Sequence, residues 1–376
     1  MAFARRLIRA LDSFSLAESN KVVMKRLIAC LLCSTLISLS INSYGQRRKP
    51  SEFFSILDNG RWGFIDKSGK LIIKPQFNGA WSSKEGLAPV LIGEKWGYVD
   101  ASGRMVIPAQ FDSPGEFSEG LAAVATTRKY GYIDKSGRMV IAERFDYATE
   151  FSEGLAAVEI DDKWGFVDKS GAFVIDPQFD QAYSFSDGLA VVITDVKKEK
   201  VTPHSMPQFP IVGKYGFIDK TGKVVIKPQF KWADDFSEGL APVNVNDKYG
   251  YIDRNGKLVI EPRFDFADVF SNGLAKVVVG KKCGYIDKTG NLIIKPMFDD
   301  AMYFNEGLAA VFIGKRFEAK WGYIDTSGKM VIEPQFEDAL FFSGGLANVS
   351  PPTGEEIRGI WGYIDKSGKY VWIREN

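Results

Sequence analysis

An aromatic residue followed by glycine recurs along almost the whole chain at a fixed interval. Successive pairs are separated by 34, 34, 34, 51, 34, 34, 38 and 40 residues, so five of the eight intervals are identical. A fixed period of this length is typical of repeat architectures, in which each unit buries its core against its neighbours. We predict that the pairs are structural anchors: Trp62-Gly63, Trp96-Gly97, Tyr130-Gly131, Trp164-Gly165, Tyr215-Gly216, Tyr249-Gly250, Cys283-Gly284, Trp321-Gly322 and Trp361-Gly362.

Each unit has the pattern of a three-stranded antiparallel meander. In the first unit, the run 61–66 is followed by a polar turn ending in Gly69 and by an apolar, β-branched run, which is typical of a β-hairpin. We expect the Asp66 carboxylate to cap this turn and Gly69 to adopt a left-handed conformation. A linker then leads to a third strand at 87–90. Because Pro89 cannot donate a backbone hydrogen bond, we predict that this third strand is a sheet edge. The aromatic–glycine strand is then expected at the centre of the meander.

The first and last units of the array indicate whether the repeats form an open array or a closed ring. The array begins at 53–57 with a version of the third-strand sequence and ends at 369–373, so whole meanders fit without sharing a strand between the first and last units. Propellers often share such a strand, and their blades usually need about 40 to 50 residues. We therefore predict an all-β fold of about nine three-stranded units in a curved open array. A closed, propeller-like ring is the alternative.

The repeat resembles the WG-repeat (or KWG-repeat) family, because Lys-Trp-Gly occurs at 95–97, 163–165 and 320–322. The resemblance covers residues 53–376. It implies a bacterial β-rich tandem-repeat protein, of a family whose members are often exported, and it carries no catalytic residues that could be transferred. The chain departs from the pattern where Tyr replaces Trp at three anchors and Cys283 replaces it at one.

The N-terminus has the features of an export signal. Two basic residues precede an apolar run at 27–41, which is 15 residues long and shorter than the roughly 20 residues needed to span a bilayer. We assign 1–45 to the signal, with cleavage before Gln46, a short linker at 46–52 and the array at 53–376. The true start is expected at Met24, or else 1–23 extend the signal. We thus expect a secreted or periplasmic protein without a transmembrane span. Residues 27–30 look like a lipobox ending in Cys30, but basic residues directly precede them where an apolar run is needed, so lipidation at Cys30 is disfavoured.

Composition excludes several kinds of chemistry. The chain has one histidine, His204, and Cys283 is the one cysteine after the signal, so a His-rich metal site and an intramolecular disulfide are excluded. We predict no catalytic, cofactor or metal site. The net charge of +1 gives no overall attraction to nucleic acid.

Four repeated features each have a functional and a structural interpretation. The aromatic residues could stack on sugars, but packing between units is favoured, with Gly63 admitting a neighbouring ring. The turn aspartates could suggest calcium, but one carboxylate per turn is too few. The basic residues before the aromatic could form a ladder for an anionic partner, although a solvated face is favoured. The acidic residues before the linker glycine are assigned to solvated turns: Glu85, Glu119, Glu153, Asp187, Glu238 and Glu306, with Asn272 and Gly344 in the same position.

Three insertions break the period, at 194–213, 314–320 and 350–360, and all fall between the third strand and the next aromatic–glycine strand. We predict that they project from one side and carry the binding residues Lys198, His204, Phe209, Arg316, Phe317 and Glu356. The predicted function is that of an exported binding or scaffold protein whose partner is another protein or a surface glycan. The alternative is a glycan-acting hydrolase with carboxylates from several repeats. The sequence leaves the oligomeric state open.

Overall fold

The computed structural model describes residues 53–196, 213–314, 320–351 and 361–374. Within these ranges the chain forms β-strands joined by turns, with no helix. No helix in the described part is therefore long and apolar enough to cross a membrane. The predicted signal at 1–45 and linker at 46–52 lie outside the described residues.

Nine small antiparallel sheets follow one another along the chain, and we number them as blades 1 to 9. Strand A of each blade is, in order, β1 (Phe54–Asp58), β5 (Ala88–Ile92), β8 (Leu121–Ala125), β12 (Ala156–Ile160), β16 (Leu189–Thr194), β20 (Ala241–Val245), β24 (Ala275–Val279), β28 (Leu308–Ile313) and β32 (Leu346–Ser350). Strand B, which carries or directly follows the aromatic–glycine pair, is β2 (Arg61–Ile65), β6 (Lys95–Val99), β9 (Tyr130–Asp134), β13 (Lys163–Val167), β17 (Lys214–Asp219), β21 (Lys248–Ile252), β25 (Lys282–Ile286), β29 (Lys320–Asp325) and β33 (Gly362–Asp365). Strand C is β3 (Leu71–Phe77), β7 (Met105–Phe111), β10 (Met139–Phe145), β14 (Phe173–Phe179), β18 (Val224–Phe230), β22 (Leu258–Phe264), β26 (Leu292–Phe298), β30 (Met330–Phe336) and β34 (Tyr370–Ile373).

A two-residue strand adds a fourth member to seven of the nine sheets. These short strands are β4 (Gly79–Ala80), β11 (Tyr147–Ala148), β15 (Gln181–Ala182), β19 (Trp232–Ala233), β23 (Phe266–Ala267), β27 (Asp300–Ala301) and β31 (Asp338–Ala339). Each pairs with strand A, so the three-stranded unit predicted from the sequence is incomplete. Strand A is consequently not the edge of these sheets, and Pro89 lies one residue beyond the stretch that β4 covers. The central position predicted for the aromatic–glycine strand is confirmed.

The turn between strands B and C has the predicted geometry. Asp66 Oδ1 accepts the backbone N–H of Ser68 at 2.8 Å and that of Lys70 at 3.1 Å. Gly69 has a φ of 84°, the left-handed region that glycine enters without strain. The carboxylate is used to cap the turn, which is the structural interpretation made from the sequence.

The anchor glycine is required for a different reason than sequence suggested. We expected Gly63 to admit an aromatic ring from a neighbouring unit. Instead, a Cβ at this position would lie 2.6 Å from the carbonyl oxygen of Ile73 and 2.7 Å from the nitrogen of Pro75. Strand C is bulged at this point and approaches strand B closely. Glycine is therefore needed inside the blade rather than between blades.

Neighbouring blades pack face to face through buried apolar side chains. Tyr132 and Phe145 of blade 3 lie in one cluster with Phe151 and Val158 of blade 4. The same packing joins the two ends of the array, since Phe54 and Ile65 of blade 1 share a buried cluster with Leu346 and Tyr363 of blade 9. The nine blades thus form a closed β-propeller-like ring, held at the seam by side chains without a shared strand. The open array that we favoured is not confirmed, and the alternative describes the structure.

Candidate functional site

The hairpins between strands A and B define one rim of the ring, which we call the hairpin rim. All three insertions begin and end there, flanked by the strand pairs Thr194–Lys214, Ile313–Lys320 and Val349–Gly362. These pairs close equivalent hairpins in blades 5, 8 and 9. The insertions therefore depart from the same side of the ring. The six residues predicted to bind a partner, Lys198, His204, Phe209, Arg316, Phe317 and Glu356, lie outside the described residues.

Six of the basic residues at the start of strand B form an ion pair within their own blade. Lys95 Nζ lies 2.5 Å from the Asp112 carboxylate, which follows strand C of the same blade. Equivalent pairs join Lys129 to Asp146, Lys163 to Asp180, Lys248 to Asp265, Lys282 to Asp299 and Lys320 to Glu337. These pairs are largely solvent-exposed, so each contributes little to stability. They leave little excess positive charge for an anionic ladder.

The boundary between blades 5 and 6 breaks this charge pattern. Lys231 occupies the position where most other blades have an acid, so Lys214 lies instead 3.4 Å from Asp195 and Lys231 lies 2.8 Å from Asp247. A shallow cavity of about 260 Å³ is present at this boundary on the hairpin rim. Its lining residues are Gln229, Phe230, Lys231, Asn244, Val245 and Asn246.

The opposite rim has a repeated contact between blades that we call the carboxylate clasp. The Glu85 carboxylate of blade 2 accepts the backbone N–H of Gly120 in blade 3. It also lies 3.1 Å from Nζ of Lys135, which belongs to blade 3 as well. Equivalent clasps form at Glu119 with Lys169, Glu153 with Lys220, Asp187 with Arg254, Glu238 with Lys288 and Glu306 with Lys366. The assignment of these acids to solvated turns was wrong, because each fixes the next blade.

The sequence contains a sign of the clasp that we missed. In blade 7 the acid is replaced by Asn272, whose side-chain oxygen still accepts the backbone N–H of Gly307 at 2.8 Å. The basic position facing it in blade 8 is Thr326. The charge is thus absent from both positions together. This paired change is in line with the clasp, whereas at the seam Lys67 keeps its charge where Gly344 replaces the acid.

The anchor residues that precede the glycines are packed between other side chains. Trp164, Tyr215 and Cys283 are buried, and the Trp164 and Tyr147 rings lie 5.6 Å apart. The remaining anchors are half-buried. Burial raises the pKa of the Cys283 thiol, which makes the thiolate nucleophile harder to form. These contacts favour packing over a sugar-stacking ladder.

An acidic cluster interrupts the repeat in the linkers that precede strand A of blades 6 and 7. Asp234 and Asp235 occupy one linker and Asp268 the next, and Lys276 Nζ lies 3.3 Å from the Asp268 carboxylate. Burial, with a contribution from the Asp268 carboxylate, raises the pKa of Asp234 to about 7, and burial beside Asp234 raises the pKa of Asp235. The cluster can therefore hold a proton near neutral pH.

This cluster was not predicted from the sequence, although its positions differ in nearly every repeat. It does not line the rim cavity. In the described ranges, no group of three or more Asp, Glu, His or Cys side chains is arranged to hold a metal ion.

The family model for the WG containing repeat matches eight segments: residues 62–96, 96–126, 130–164, 164–195, 215–249, 249–283, 284–317 and 321–350. Together they span well over half of the chain. This protein belongs to the WG-repeat family.

The WG-repeat ring is similar in fold to solved structures of low sequence identity. A eukaryotic initiation factor aligns with a TM-score of 0.59 at 13% identity, covering 86% of this chain and 96% of that one. A quinonprotein alcohol dehydrogenase-like protein from Bacteroides thetaiotaomicron aligns with a TM-score of 0.37 at 12% identity, covering 74% of each chain. A comparison with curated protein sequences finds no match. At such identities the first similarity supports the fold of the WG-repeat ring and carries nothing about its ligand.

Proposed function

We propose that this WG-repeat protein is an exported binding or scaffold protein that uses its hairpin rim to bind another protein or a surface glycan. The observation that carries the proposal is the common origin of the three insertions at equivalent hairpins of blades 5, 8 and 9. Repeat proteins tend to place such insertions on the face that meets a partner. Many of the repeated charged side chains outside the insertions are used in ion pairs and clasps, such as Lys95 with Asp112 and Glu85 with Lys135.

Export is part of this proposal and rests on the N-terminal sequence. A basic start, a 15-residue apolar run and small residues before Gln46 support a cleaved signal. Mature protein from the native host is expected outside the cytoplasm with an N-terminus at or near Gln46. N-terminal sequencing that finds Met24 retained, or a lipid on Cys30, would contradict it.

The binding surface is tested by shortening the insertions. Residues 197–210 are removed so that the blade 5 hairpin comes within three residues of the length of its neighbours, and the partner is captured from an envelope fraction and on a glycan array. Long surface loops contribute little to stability, so the melting temperature should barely change while affinity falls. Unaltered binding after trimming all three insertions would move the recognition site to the repeat surface.

A glycan-acting hydrolase remains the second candidate, and the acidic cluster favours it. Such enzymes need one protonated and one ionised carboxyl group. Asp234 and Asp235, whose pKa values burial raises, are the candidates for the first, and Asp268, which lies 3.3 Å from Lys276 Nζ, is the candidate for the second. Turnover of an array glycan that disappears in both Asp235→Asn and Asp268→Asn would establish this function in place of simple binding.

A further inference from the structure

Four asparagines in the chain are followed by glycine, the pair in which an asparagine side chain most readily loses ammonia. They are found at Asn59-Gly60, Asn78-Gly79, Asn255-Gly256 and Asn272-Gly273. In this deamidation the glycine backbone nitrogen gives up its proton and attacks the side-chain carbonyl carbon of the asparagine. Glycine favours the attack because it has no Cβ to crowd the approach. The reaction therefore needs a free glycine N–H and an asparagine side chain that is free to move.

At two of these pairs the glycine N–H is already donated to an acceptor. The Gly256 N–H donates to the carbonyl oxygen of Asp253 at 2.9 Å, within the turn between strands B and C. The Gly273 N–H donates to the Glu238 carboxylate at 3.2 Å, in the clasp that joins blades 6 and 7. A nitrogen that donates a hydrogen bond loses its proton less readily, so both nitrogens are poor nucleophiles.

At two pairs the asparagine side chain is held as well. Asn272 Oδ1 accepts the Gly307 N–H at 2.8 Å, and Asn78 Oδ1 accepts the Gly93 N–H at 3.0 Å. Gly79 is also buried and belongs to the short strand β4, which pairs with strand A of blade 2. These contacts fix the side chains and the backbone, which opposes the rearrangement that the attack requires.

The pair Asn59-Gly60 has none of these restraints. Both residues are exposed and form the two-residue turn of the blade 1 hairpin, closed by the strand pair Asp58–Arg61. In the described part of the chain, neither the Gly60 N–H nor the Asn59 side chain has a hydrogen-bond partner. A Cβ at Gly60 would have no atom within 4 Å, so the turn is open to solvent on this side. A free nucleophile and a free amide thus lie next to each other on the hairpin rim.

We propose that Asn59 is the site of spontaneous deamidation in the folded protein. The Gly60 nitrogen bonds to the Asn59 side-chain carbon, the bond from that carbon to the amide nitrogen breaks, and ammonia leaves with the proton that Gly60 gave up. Water then opens the succinimide ring at either carbonyl group, which yields aspartate or isoaspartate at residue 59. The reaction consumes only water and adds one negative charge to the hairpin rim. It requires only the turn itself and does not depend on what this rim binds.

Peptide mapping of the aged protein tests the proposal. The mature chain is incubated at pH 8, and its asparagine, aspartate and isoaspartate peptides are separated by chromatography and identified by mass spectrometry. Deamidation should be at least about tenfold faster at Asn59 than at Asn78, Asn255 or Asn272, because there an ordinary hydrogen bond must break first. In urea all four should react at similar rates, since unfolding frees every glycine N–H. A folded chain in which Asn59 stays intact, or in which another of the four reacts as fast, would overturn the inference.

Gly60→Asp is the matched variant for this experiment. Blades 4 and 6 have Asp162 and Asp247 at the same turn position, with φ values of 61° and 63°, so the variant should fold and keep its melting temperature. The added Cβ crowds the backbone nitrogen and the carboxylate opposes loss of its proton, so deamidation at Asn59 should slow severalfold. If the folded variant lost ammonia from Asn59 as fast as the wild type, the nitrogen of residue 60 would not be the nucleophile and the inference would fall.

Discussion

The Tyr363 hydroxyl donates a hydrogen bond of 2.9 Å to the backbone carbonyl oxygen of Ser55, a residue 308 positions earlier in the chain. Tyrosines of other blades make a similar bond to the next blade, as Tyr323 does to the carbonyl oxygen of Leu340 at 2.8 Å. The seam between blades 9 and 1 thus has the kind of polar contact found at ordinary blade boundaries. A ring closed in this way leaves no exposed terminal blade face.

Replacing Trp164 by Ala should remove a buried ring between blades 4 and 5. Trp164 is 4% exposed and belongs to the cluster that joins these blades, so the free energy of unfolding is expected to fall by about 3 to 5 kcal/mol. Trp164→Phe should cost much less, because the indole nitrogen has no hydrogen-bond partner among the described residues. Urea denaturation of both variants measures the two losses of unfolding free energy. An unchanged midpoint in Trp164→Ala, together with lost ligand binding, would mean that the anchors recognise a ligand.

Replacing Glu153 by Ala should loosen the contact between blades 4 and 5. Its carboxylate accepts the backbone N–H of Gly188 at 3.1 Å and lies 3.0 Å from Lys220 Nζ. Leaving that N–H without its partner should cost about 1 to 3 kcal/mol. Glu153→Gln keeps an acceptor and loses the charge, so it should cost about 1 kcal/mol or less, and this smaller cost should vanish at high salt. Equal losses in the two variants would show that the ion pair, rather than the hydrogen bond, joins the blades.

The acidic cluster predicts a pH-dependent stability. Burial raises the pKa of Asp235 and brings that of Asp234 to about 7 in the folded chain. Between the unfolded pKa near 3.8 and the folded value, the native state binds more protons, so stability should fall as pH rises through this window. Asp235→Asn should therefore raise the melting temperature at pH 8 and leave it nearly unchanged at pH 4.

Asp268→Asn is the matched control for that experiment. This substitution leaves Lys276 without the carboxylate 3.3 Å away, so it should lower the melting temperature at pH 8. Melting temperatures measured from pH 4 to pH 8 separate the two effects. If the melting temperature at pH 8 rose in both variants, repulsion among all the carboxylates of the cluster, rather than the buried charge of Asp235, would be what destabilises the fold.

The sequence predicts the parts of this fold that depend on neighbouring residues. The turn capped by Asp66 and closed by Gly69 follows from four consecutive residues, and the central position of strand B follows from the order of the repeat. Ring closure depends on the small rotation between successive blades, added over all nine. No local pattern encodes this rotation, so Tyr363 and Ser55 could not be paired from the sequence. The two-residue strands, such as Gly79–Ala80, are too short to show an alternating pattern.

The candidate site was predictable only in part, because its contacts cross between blades. Insertion lengths pointed to the hairpins between strands A and B, and the described strand pairs that flank the insertions belong to these hairpins in blades 5, 8 and 9. The role of Glu85 was missed because Gly120 and Lys135 lie in the next blade. Lys231 stands out only when its position is compared across all the repeats, and the cavity that it lines depends on the packing of blade 5 on blade 6.

Ring closure is tested most directly by removing the Tyr363 hydroxyl and comparing the loss with that at an internal boundary. Tyr363→Phe and Tyr323→Phe each delete one hydroxyl that donates to a carbonyl oxygen of the next blade. In a closed ring both variants should lose about 1 kcal/mol of unfolding free energy by urea denaturation of the mature chain. In an open array Tyr363 would lie at a free end, so a loss in Tyr323→Phe with none in Tyr363→Phe would contradict the closed ring.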